Sequence, residues 1–253
     1  MQQSERPNIP EVTLVAVTSV AIQATVDALR KSTKEAEFGQ VLLLSDKEPP
    51  RDIEPSITWR RIDRLRSRSD YSHFMLHHLA DHISTGHALC VQWDGFVLDG
   101  AAWDPSFLDY DYIGAVWPHF RDSHNVGNGG FSLRSRRLLR LCKDLPEDVS
   151  EAEDIVIGRL YRLQLEAAGI RFATEDVANR FAFERSLPNG REFGFHGAYN
   201  LVRYLSARDA IAIFREVEGG MLARGERREI INWALARGRL RLARLLMRRR
   251  EAL

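Results

Sequence analysis

The first residue that could do chemistry is an aspartate at the end of an apolar segment. Residues 88–92 (ALCVQ) lead directly into Trp93, Asp94 and Gly95. If this run is a buried strand, the Asp94 carboxylate stands at its carboxyl end, where open α/β sheets bind ligands. Such an oxygen ligand suits Mg²⁺ or Mn²⁺ between two phosphates. The alternative is that Asp94 caps the turn at Gly95.

A glycine-rich segment offers a different kind of binding. Residues 126–135 read VGNGGFSLRS. Three glycines and an asparagine let the main chain approach a ligand closely, and their N–H groups suit a sugar or a phosphate. The segment does not have the Gly-x-Gly-x-x-Gly pattern after a first strand, so a dinucleotide site is not indicated. A tight structural turn explains the glycines equally well.

Two further positions carry groups able to accept or donate a proton. Glu153 and Asp154 stand at the start of a helical segment. The helix dipole by itself favours acidic residues there, and the functional interpretation is a catalytic carboxylate. His196 lies in a glycine-broken aromatic turn, FGFHG. It could bind a metal or carry a proton, whereas a histidine with a purely structural role is the alternative.

A run of histidines could also bind a transition metal. Two pairs have the i, i+4 spacing that such sites use, and the run comprises His73, His77, His78, His82 and His87. It contains no His-Glu-x-x-His sequence. We therefore expect a half-exposed helix surface, and a phosphodiester hydrolase only if the run converges with Asp94.

Alternating apolar runs and helical spacings predict the elements that must position these residues. Strands are expected at residues 12–17, 41–44, 57–62, 88–92 and 170–173. Helices are expected at residues 22–34, 71–83, 136–142 and 154–168. This alternation predicts an open α/β sheet, whose ligands bind beyond the carboxyl ends of its strands.

Composition narrows the functional classes. The 253 residues carry 36 basic and 35 acidic side chains, so the net charge of +1 provides no general attraction to nucleic acid. The two cysteines are too few and too distant for a disulfide framework or a zinc ribbon. There is no signal-peptide pattern and no apolar stretch of about 18 residues, so we expect a cytoplasmic protein.

Positive charge is concentrated towards the C-terminus. Residues 224–250 contain ten arginines and two glutamates. Apolar positions at helical spacing predict one basic amphipathic helix, with Ile231, Leu235, Leu242, Leu245 and Leu246 on its apolar stripe. Such a helix can lie on an anionic membrane at the inner face of the cell. Packing on the rest of the chain or on a second copy is the alternative.

The chain resembles a known family through five segments in order: LCVQWDGFVLDGAAW, DYDYIGAVWP, VGNGGFSLRSRRLL, EDIVIG and FGFHG. This is domain-of-unknown-function family 5672, regarded as glycosyltransferases related to the GT-A fold. The similarity runs from about residue 12 to about residue 200. It implies a GT-A-like nucleotide-sugar-binding sheet flanked by helices, followed by an Arg-rich helical extension.

The resemblance implies a metal site. Gln92-Trp93-Asp94 stands where GT-A enzymes have the Asp-x-Asp motif, which holds a divalent ion against the donor diphosphate, and the first Asp is here Gln. His196 matches the C-terminal metal-binding histidine. Asp94 and His196 would hold Mn²⁺ or Mg²⁺, and Thr18, Gln92 and Asp94 would contact the donor.

The resemblance also implies a base and a sugar loop. Ala152-Glu153-Asp154 matches the pattern of inverting enzymes in which the Asp takes a proton from the acceptor hydroxyl, so Asp154 is the implied base with Glu153 beside it. The substrate is expected at Asn128, Gly129, Gly130, Phe131 and Trp117. Aromatic rings such as that of Trp117 could stack on sugar faces or belong to the core.

These observations lead to one expected function and one rival. Residues 1–205 are expected to form an inverting, metal-assisted glycosyltransferase domain, and residues 206–253 its basic helical tail. The donor would be a nucleotide sugar, and the acceptor a glycan or a lipid-linked molecule. A sugar- or nucleotide-binding domain that has lost turnover is the alternative, because Gln replaces the first Asp.

Overall fold

A β-branched apolar run forms the central strand of the main sheet. In the computed structural model, which describes residues 6–50, 52–148, 150–217 and 222–248, this strand is β1 (Asn8–Thr18). Leu14 packs with Leu29 on one face of the sheet, and Val15 packs with Met75 on the other. Burial on both faces is typical of a central parallel strand, because helices cover both sides.

The remaining strands are β2 (Glu37–Ser45), β3 (Ile57–Arg61), β4 (His87–Val91), β5 (Phe96–Val97), β6 (Tyr112–Ile113), β7 (Phe131–Ser135), β8 (Ala182–Phe183) and β9 (Gly194–Phe195). The helices are α1 (Ile22–Glu35), α2 (Arg68–His77), α3 (Arg136–Cys142), α4 (Glu153–Ile155), α5 (Arg162–Ala167), α6 (Glu175–Phe181), α7 (Ala198–Tyr204), α8 (Ala207–Glu216), α9 (Arg224–Ala236) and α10 (Leu240–Arg248). The protein is therefore a mixed α/β fold, as the sequence predicts.

The main sheet has the strand order β3-β2-β1-β4-β7-β6. Strands β1 to β4 are parallel, and β7 pairs antiparallel with both β4 and β6. The carboxyl ends of the four parallel strands therefore lie along one edge of the sheet. A small second sheet has the order β5-β9-β8 and continues from β4 through the turn that contains Asp94.

Several predicted elements are confirmed and others are wrong. The predicted strands at 12–17, 41–44, 57–62 and 88–92 correspond to β1 to β4. The predicted helix 71–83 ends at His77 and is followed by a 3₁₀ turn, and the predicted helix 154–168 is interrupted by a π-helical turn, Val156–Leu160. The predicted strand 170–173 is reduced to one bridge between Phe172 and Tyr112.

The C-terminal helices pack against the second sheet. Ile230, Leu242 and Leu246 are buried in one cluster with Trp93 and Phe195. The predicted single helix is wrong, because the chain reverses at Gly238, whose φ of 67° favours glycine. The domain boundary at residue 205 stays a prediction.

Part of the predicted apolar stripe faces the protein. Leu242 and Leu246 are buried, Ile231 and Leu245 are partly buried against the same cluster, and Leu235 remains 45% exposed. Packing on the chain thus accounts for most of the stripe. No helix among the described residues is long and apolar enough to cross a membrane. Contact of the tail with a membrane surface or a second copy stays a prediction.

The N-terminus of α1 has no cap of its own and is bonded by a distant carboxylate. Ala21 at its N-cap provides no side-chain bond, whereas Glu216 at the end of α8 accepts hydrogen bonds from the backbone N–H groups of Gln23 (2.7 Å) and Ala24 (2.9 Å). The carboxylate accepts hydrogen bonds from two N–H groups that have no partner within the helix, and its negative charge interacts favourably with the positive end of the helix dipole. This contact ties the C-terminal helices to the main sheet.

We expect Glu216→Ala to lower the free energy of unfolding by about 1–2 kcal/mol, the usual cost of losing a helix cap. Urea denaturation monitored by circular dichroism measures the change. Glu48→Ala, at an exposed position in the loop after β2, removes the same charge and should leave the midpoint unchanged. Equal stability of the Glu216 variant and the wild type would contradict the capping role.

Candidate active site

Asp94 and His196 meet although about a hundred residues separate them. β5 pairs with β9 so that Phe96 lies opposite Phe195, which brings the residues just before β5 to those just after β9. Asp94 Oδ1 lies 3.2 Å from His196 Nε2, and both side chains are largely buried. A Cβ at Gly95 would lie 2.6 Å from the Phe195 carbonyl oxygen, so this close crossing requires the glycine.

His196 lies between two carboxylates. Glu184 Oε1 is 3.4 Å from Nδ1, on the opposite side of the ring from Asp94. Burial disfavours the charged ring, but the charges and hydrogen bonds of Asp94 and Glu184 outweigh it and raise the pKa of His196 well above its usual value. Burial likewise opposes ionisation of Glu184, whereas its hydrogen bond from His196 lowers the pKa of that carboxyl.

Two polar side chains complete the surroundings of the histidine. Gln92 Oε1 lies 3.2 Å from His196 Nε2, and the Gln92 amide donates to the Tyr71 hydroxyl at 3.0 Å. The Asn200 amide donates to the carbonyl oxygens of His196 (2.8 Å) and Glu184 (2.7 Å). Glu184 and Asn200 were not predicted from the sequence, because neither lies in a recognisable motif.

The turn Asn128-Gly129-Gly130 lies between the histidine and the acidic pair. Asn128 has φ of 66°, and its side-chain oxygen accepts hydrogen bonds from the backbone N–H groups of Gly130 (3.2 Å) and Phe131 (3.3 Å). A Cβ at Gly130 would lie 2.1 Å from His196 Nε2. A Cβ at Gly129 would lie 1.9 Å from Glu153 Oε1. Both glycines are required by close approach to site residues.

Asp154 faces this turn from the start of α4. Its Oδ2 accepts a hydrogen bond from Gly129 N at 3.0 Å, and its Oδ1 accepts one from Ile155 N at 2.8 Å. Burial and the neighbouring charge of Glu153 raise the pKa of Asp154 to about 6. A carboxylate with this pKa is suited to accept a proton near neutral pH.

Glu153 is engaged in a buried ion pair. Arg134, fully buried on β7, places Nη2 2.8 Å from Glu153 Oε1, and its Nε donates to Ser132 Oγ at 3.0 Å. The Arg134 Nη2 also lies 3.4 Å from the Gly129 carbonyl oxygen. Arg134 therefore connects the acidic pair to the glycine turn. The sequence does not single out Arg134, because a lone arginine in an apolar strand carries no motif.

Three other predicted contact residues have their side chains engaged or buried. The Thr18 hydroxyl, at the end of β1, bonds to the backbone of Val20. The Phe131 ring is fully buried against Phe181, and the Trp117 ring is 5% exposed and lies against Gly127. The Trp117 ring therefore belongs to the core, the alternative that the sequence left open, and substrate contact at Phe131 and Trp117 stays a prediction.

The histidine run lies elsewhere. His73 and His78 line a groove with Arg61, and the imidazole beside Asp94 is that of His196. Among the described residues, no group of three His, Cys, Asp or Glu side chains is placed to hold a metal ion by itself. The convergence that a hydrolase based on the run requires is not seen in the described part of the chain.

We expect Gly130→Ala to destabilise the fold by about 1–3 kcal/mol, since the added methyl group overlaps the His196 ring. Urea denaturation of the purified variant measures this. Gly225→Ala is the matched control, because a Cβ at that position in α9 meets nothing within 4 Å. If the two variants unfold at the same midpoint as the wild type, the close packing of the turn against His196 is wrong.

Comparison with known proteins gives one family and several distant structures. Comparison with curated protein sequences gives no significant match. Galactosyltransferase LgtC in complex with donor and acceptor sugar analogs is 12% identical, with 86% of this chain and 99% of that chain covered and a TM-score of 0.49. A glycosyltransferase involved in the glycosylation of the major capsid of PBCV-1 is 12% identical, with 80% and 98% covered and a TM-score of 0.48. Scores below 0.5 are too low to decide a shared fold.

The family match covers the residues that build the site. The model of the family described as protein of unknown function (DUF5672) matches residues 57–196, from β3 to the histidine beside Asp94. This segment is more than half of the chain and includes the glycine turn and the acidic pair. The chain therefore belongs to the DUF5672 family.

Proposed function

We propose that this protein is a glycosyltransferase that uses a nucleotide-sugar donor, inverts the anomeric configuration and is assisted by a divalent ion. One observation carries the proposal. The turn Asn128-Gly129-Gly130 bonds to the Asp154 carboxylate on one side and packs against His196, beside Asp94, on the other. Displacement at an anomeric carbon needs a base on one face and a charge-stabilised leaving group on the opposite face.

The residues around Asp94 fit a divalent ion. Asp94 Oδ1 is buried and has no hydrogen bond of normal geometry among the described residues, although His196 Nε2 lies 3.2 Å away. Oxygen and nitrogen ligands about 2.1 Å from one ion are often about 3 Å apart, and an ion bound here would displace the proton from His196 Nε2. Bound there, Mn²⁺ or Mg²⁺ would neutralise charge on the leaving diphosphate as a Lewis acid. The remaining coordination would come from the donor and water.

Asp154 is the proposed general base. Its carboxylate takes the proton of the acceptor hydroxyl, and the Gly129 N–H holds one carboxylate oxygen in place. Because the pKa of Asp154 is raised to about 6, the base is ionised at neutral pH and still binds a proton well. Glu153, paired with Arg134, acts as a positioning residue that holds the start of α4 against the glycine turn.

The topology supports a donor along the sheet edge. The carboxyl ends of β1 and β4 lie side by side, which brings Thr18 near the turn that carries Asp94. Open α/β sheets bind nucleotides at such an edge. We propose a hexosyl donor at this edge and a glycan or lipid-linked acceptor at the Asp154 side, in cytoplasmic glycan or glycoconjugate biosynthesis.

A binding domain without turnover is the second candidate, favoured by Gln92. Its side chain replaces a charged ligand with a neutral amide, and it is held between the Tyr71 hydroxyl and His196. A neutral amide attracts a divalent ion less strongly than a carboxylate does. Such a domain would bind the donor without hydrolysing or transferring its sugar.

Nucleotide sugars should stabilise the protein in a metal-dependent way. A ligand at 100 times its Kd adds about 2.7 kcal/mol to the free energy of unfolding, which a thermal-shift screen with and without Mn²⁺ detects. We expect Asp94→Asn to abolish the added effect of Mn²⁺, whereas Asp148→Asn, at an exposed position, keeps it. No shift with any nucleotide sugar would contradict both candidate functions.

Transfer should depend on the Asp154 carboxylate. With an active donor and acceptor, Asp154→Asn should lower kcat by about 10²-fold or more while donor binding persists, because the amide cannot accept a proton. The wild-type rate should rise as pH increases through about 6, since the base loses its proton there. Asp148→Asn is the control. Wild-type turnover by the Asp154 variant would assign the base elsewhere, and donor binding without any transfer would favour the second candidate.

A further inference from the structure

The first turn of α9 brings a carboxylate of the C-terminal tail close to the proposed metal site. Ile230, one helical turn after Glu226, is fully buried in the cluster that also contains Trp93 and Phe195. These two rings directly precede the two proposed metal-binding residues in the sequence. Because residues i and i+4 share one face of a helix, Glu226 lies on the side of α9 that packs beside the site.

An ion pair on the same helix face supports this placement. Glu229 Oε2, three residues after Glu226, lies 3.6 Å from Arg185 Nη1. Arg185 directly follows Glu184, whose carboxylate contacts the His196 ring. Both members of the pair are about half exposed, so the pair itself adds little stability. Its position nevertheless shows that this face of α9 is turned towards the residues around the histidine.

The charges of the site act on the Glu226 carboxyl, which is partly buried. Burial and the negative charge of Asp94 raise the pKa of Glu226, and the positive charges of Arg185 and His196 offset part of this increase. Such coupling is reciprocal, because each charge experiences the potential of the other. The ionised Glu226 carboxylate therefore makes the electrostatic potential at Asp94 more negative.

This added negative charge matters because the site itself is short of carboxylates. His196 Nε2 lies 3.2 Å from Asp94 Oδ1 and 3.2 Å from the neutral amide oxygen of Gln92. A divalent ion is attracted more strongly by negative oxygen groups than by neutral ones. No three His, Cys, Asp or Glu side chains are grouped to hold a metal in the part of the chain that the structure describes. Glu226 therefore acts on the ion through its charge, and Asp94 Oδ1, buried without a hydrogen bond, is the oxygen ligand.

We propose that Glu226 is a positioning residue whose negative charge strengthens the binding of a divalent ion at Asp94. The inference rests on the proposed function, since it requires that an ion binds beside Asp94. It goes further because Glu226 lies in the C-terminal tail, outside the segment 57–196 that the family model matches. The tail thus contributes a charged group to the site in addition to its apolar packing.

Titration calorimetry of the full chain with Mn²⁺ alone tests this role. We expect Glu226→Gln to raise the Kd for Mn²⁺ by about tenfold, because the amide keeps the size of the side chain and removes its charge. Glu226→Asp keeps the charge and should bind nearly as tightly as the wild type. The matched control, Glu11→Gln, removes an equal charge from an exposed position near the start of β1, at the opposite edge of the sheet, and should not change the Kd. Adding Gln92→Glu to Glu226→Gln should restore most of the affinity, since it returns a negative charge beside Asp94.

The possible failures are distinguishable. If the wild type binds Mn²⁺ and Glu226→Gln, shown to be folded by urea denaturation, binds it equally well, the role of Glu226 is wrong and the proposed function stands. Equal weakening by Glu11→Gln would mean attraction by net charge. Weakening that Gln92→Glu does not restore, or that Glu226→Asp shares, would mean a structural role, and each of these results overturns the inference. Absence of Mn²⁺ binding by the wild type would contradict the metal assistance in the proposed function, and the inference with it.

Discussion

The candidate site depends on one steric constraint, the passage of two glycines between a histidine ring and a carboxylate. Gly130 has no room for a Cβ beside His196, and Gly129 has none beside Glu153. Because interiors are close-packed, any larger residue would push these groups apart. The same turn holds Asp154 through the backbone N–H of Gly129. The distance between the proposed base and the Asp94–His196 pair is therefore set by a glycine backbone that has no side chains.

Charge burial gives the site a second constraint. Arg134 is fully buried, and its partner Glu153 is nearly so. Removing one member of a buried pair leaves an uncompensated charge, which costs more than the pair itself contributes. The pair therefore holds α4 in one position relative to β7. Burial of Asp154 and the neighbouring charge of Glu153 raise the pKa of Asp154, and the charge of Arg134 offsets part of this effect.

The C-terminal helices pack against the segment that carries Asp94. Trp93, between Gln92 and Asp94, packs edge-on against Phe214 of α8, and the same apolar cluster continues into α9 and α10. Glu216, at the end of α8, accepts hydrogen bonds from backbone N–H groups at the start of α1. The arginine-rich tail is therefore joined to the motif-bearing part of the chain by apolar burial and by one carboxylate.

The sequence pattern by itself determined most of the parallel strands, since β1, β2 and β4 contain apolar runs that are buried in the sheet. It also marked Asp94, Asp154, His196 and the glycine turn as candidate chemical groups. Only the tertiary structure decided which of them meet. The pairing of β5 with β9 joins Asp94 to His196, and it brings in Glu184, which no motif marks. Strand β7 escaped prediction because Arg134 makes it look polar until its partner Glu153 is known. The rings of Phe131 and Trp117 lie in the core, and the tail reverses at Gly238, because side-chain orientation and helix ends are set by packing between segments that are distant in sequence.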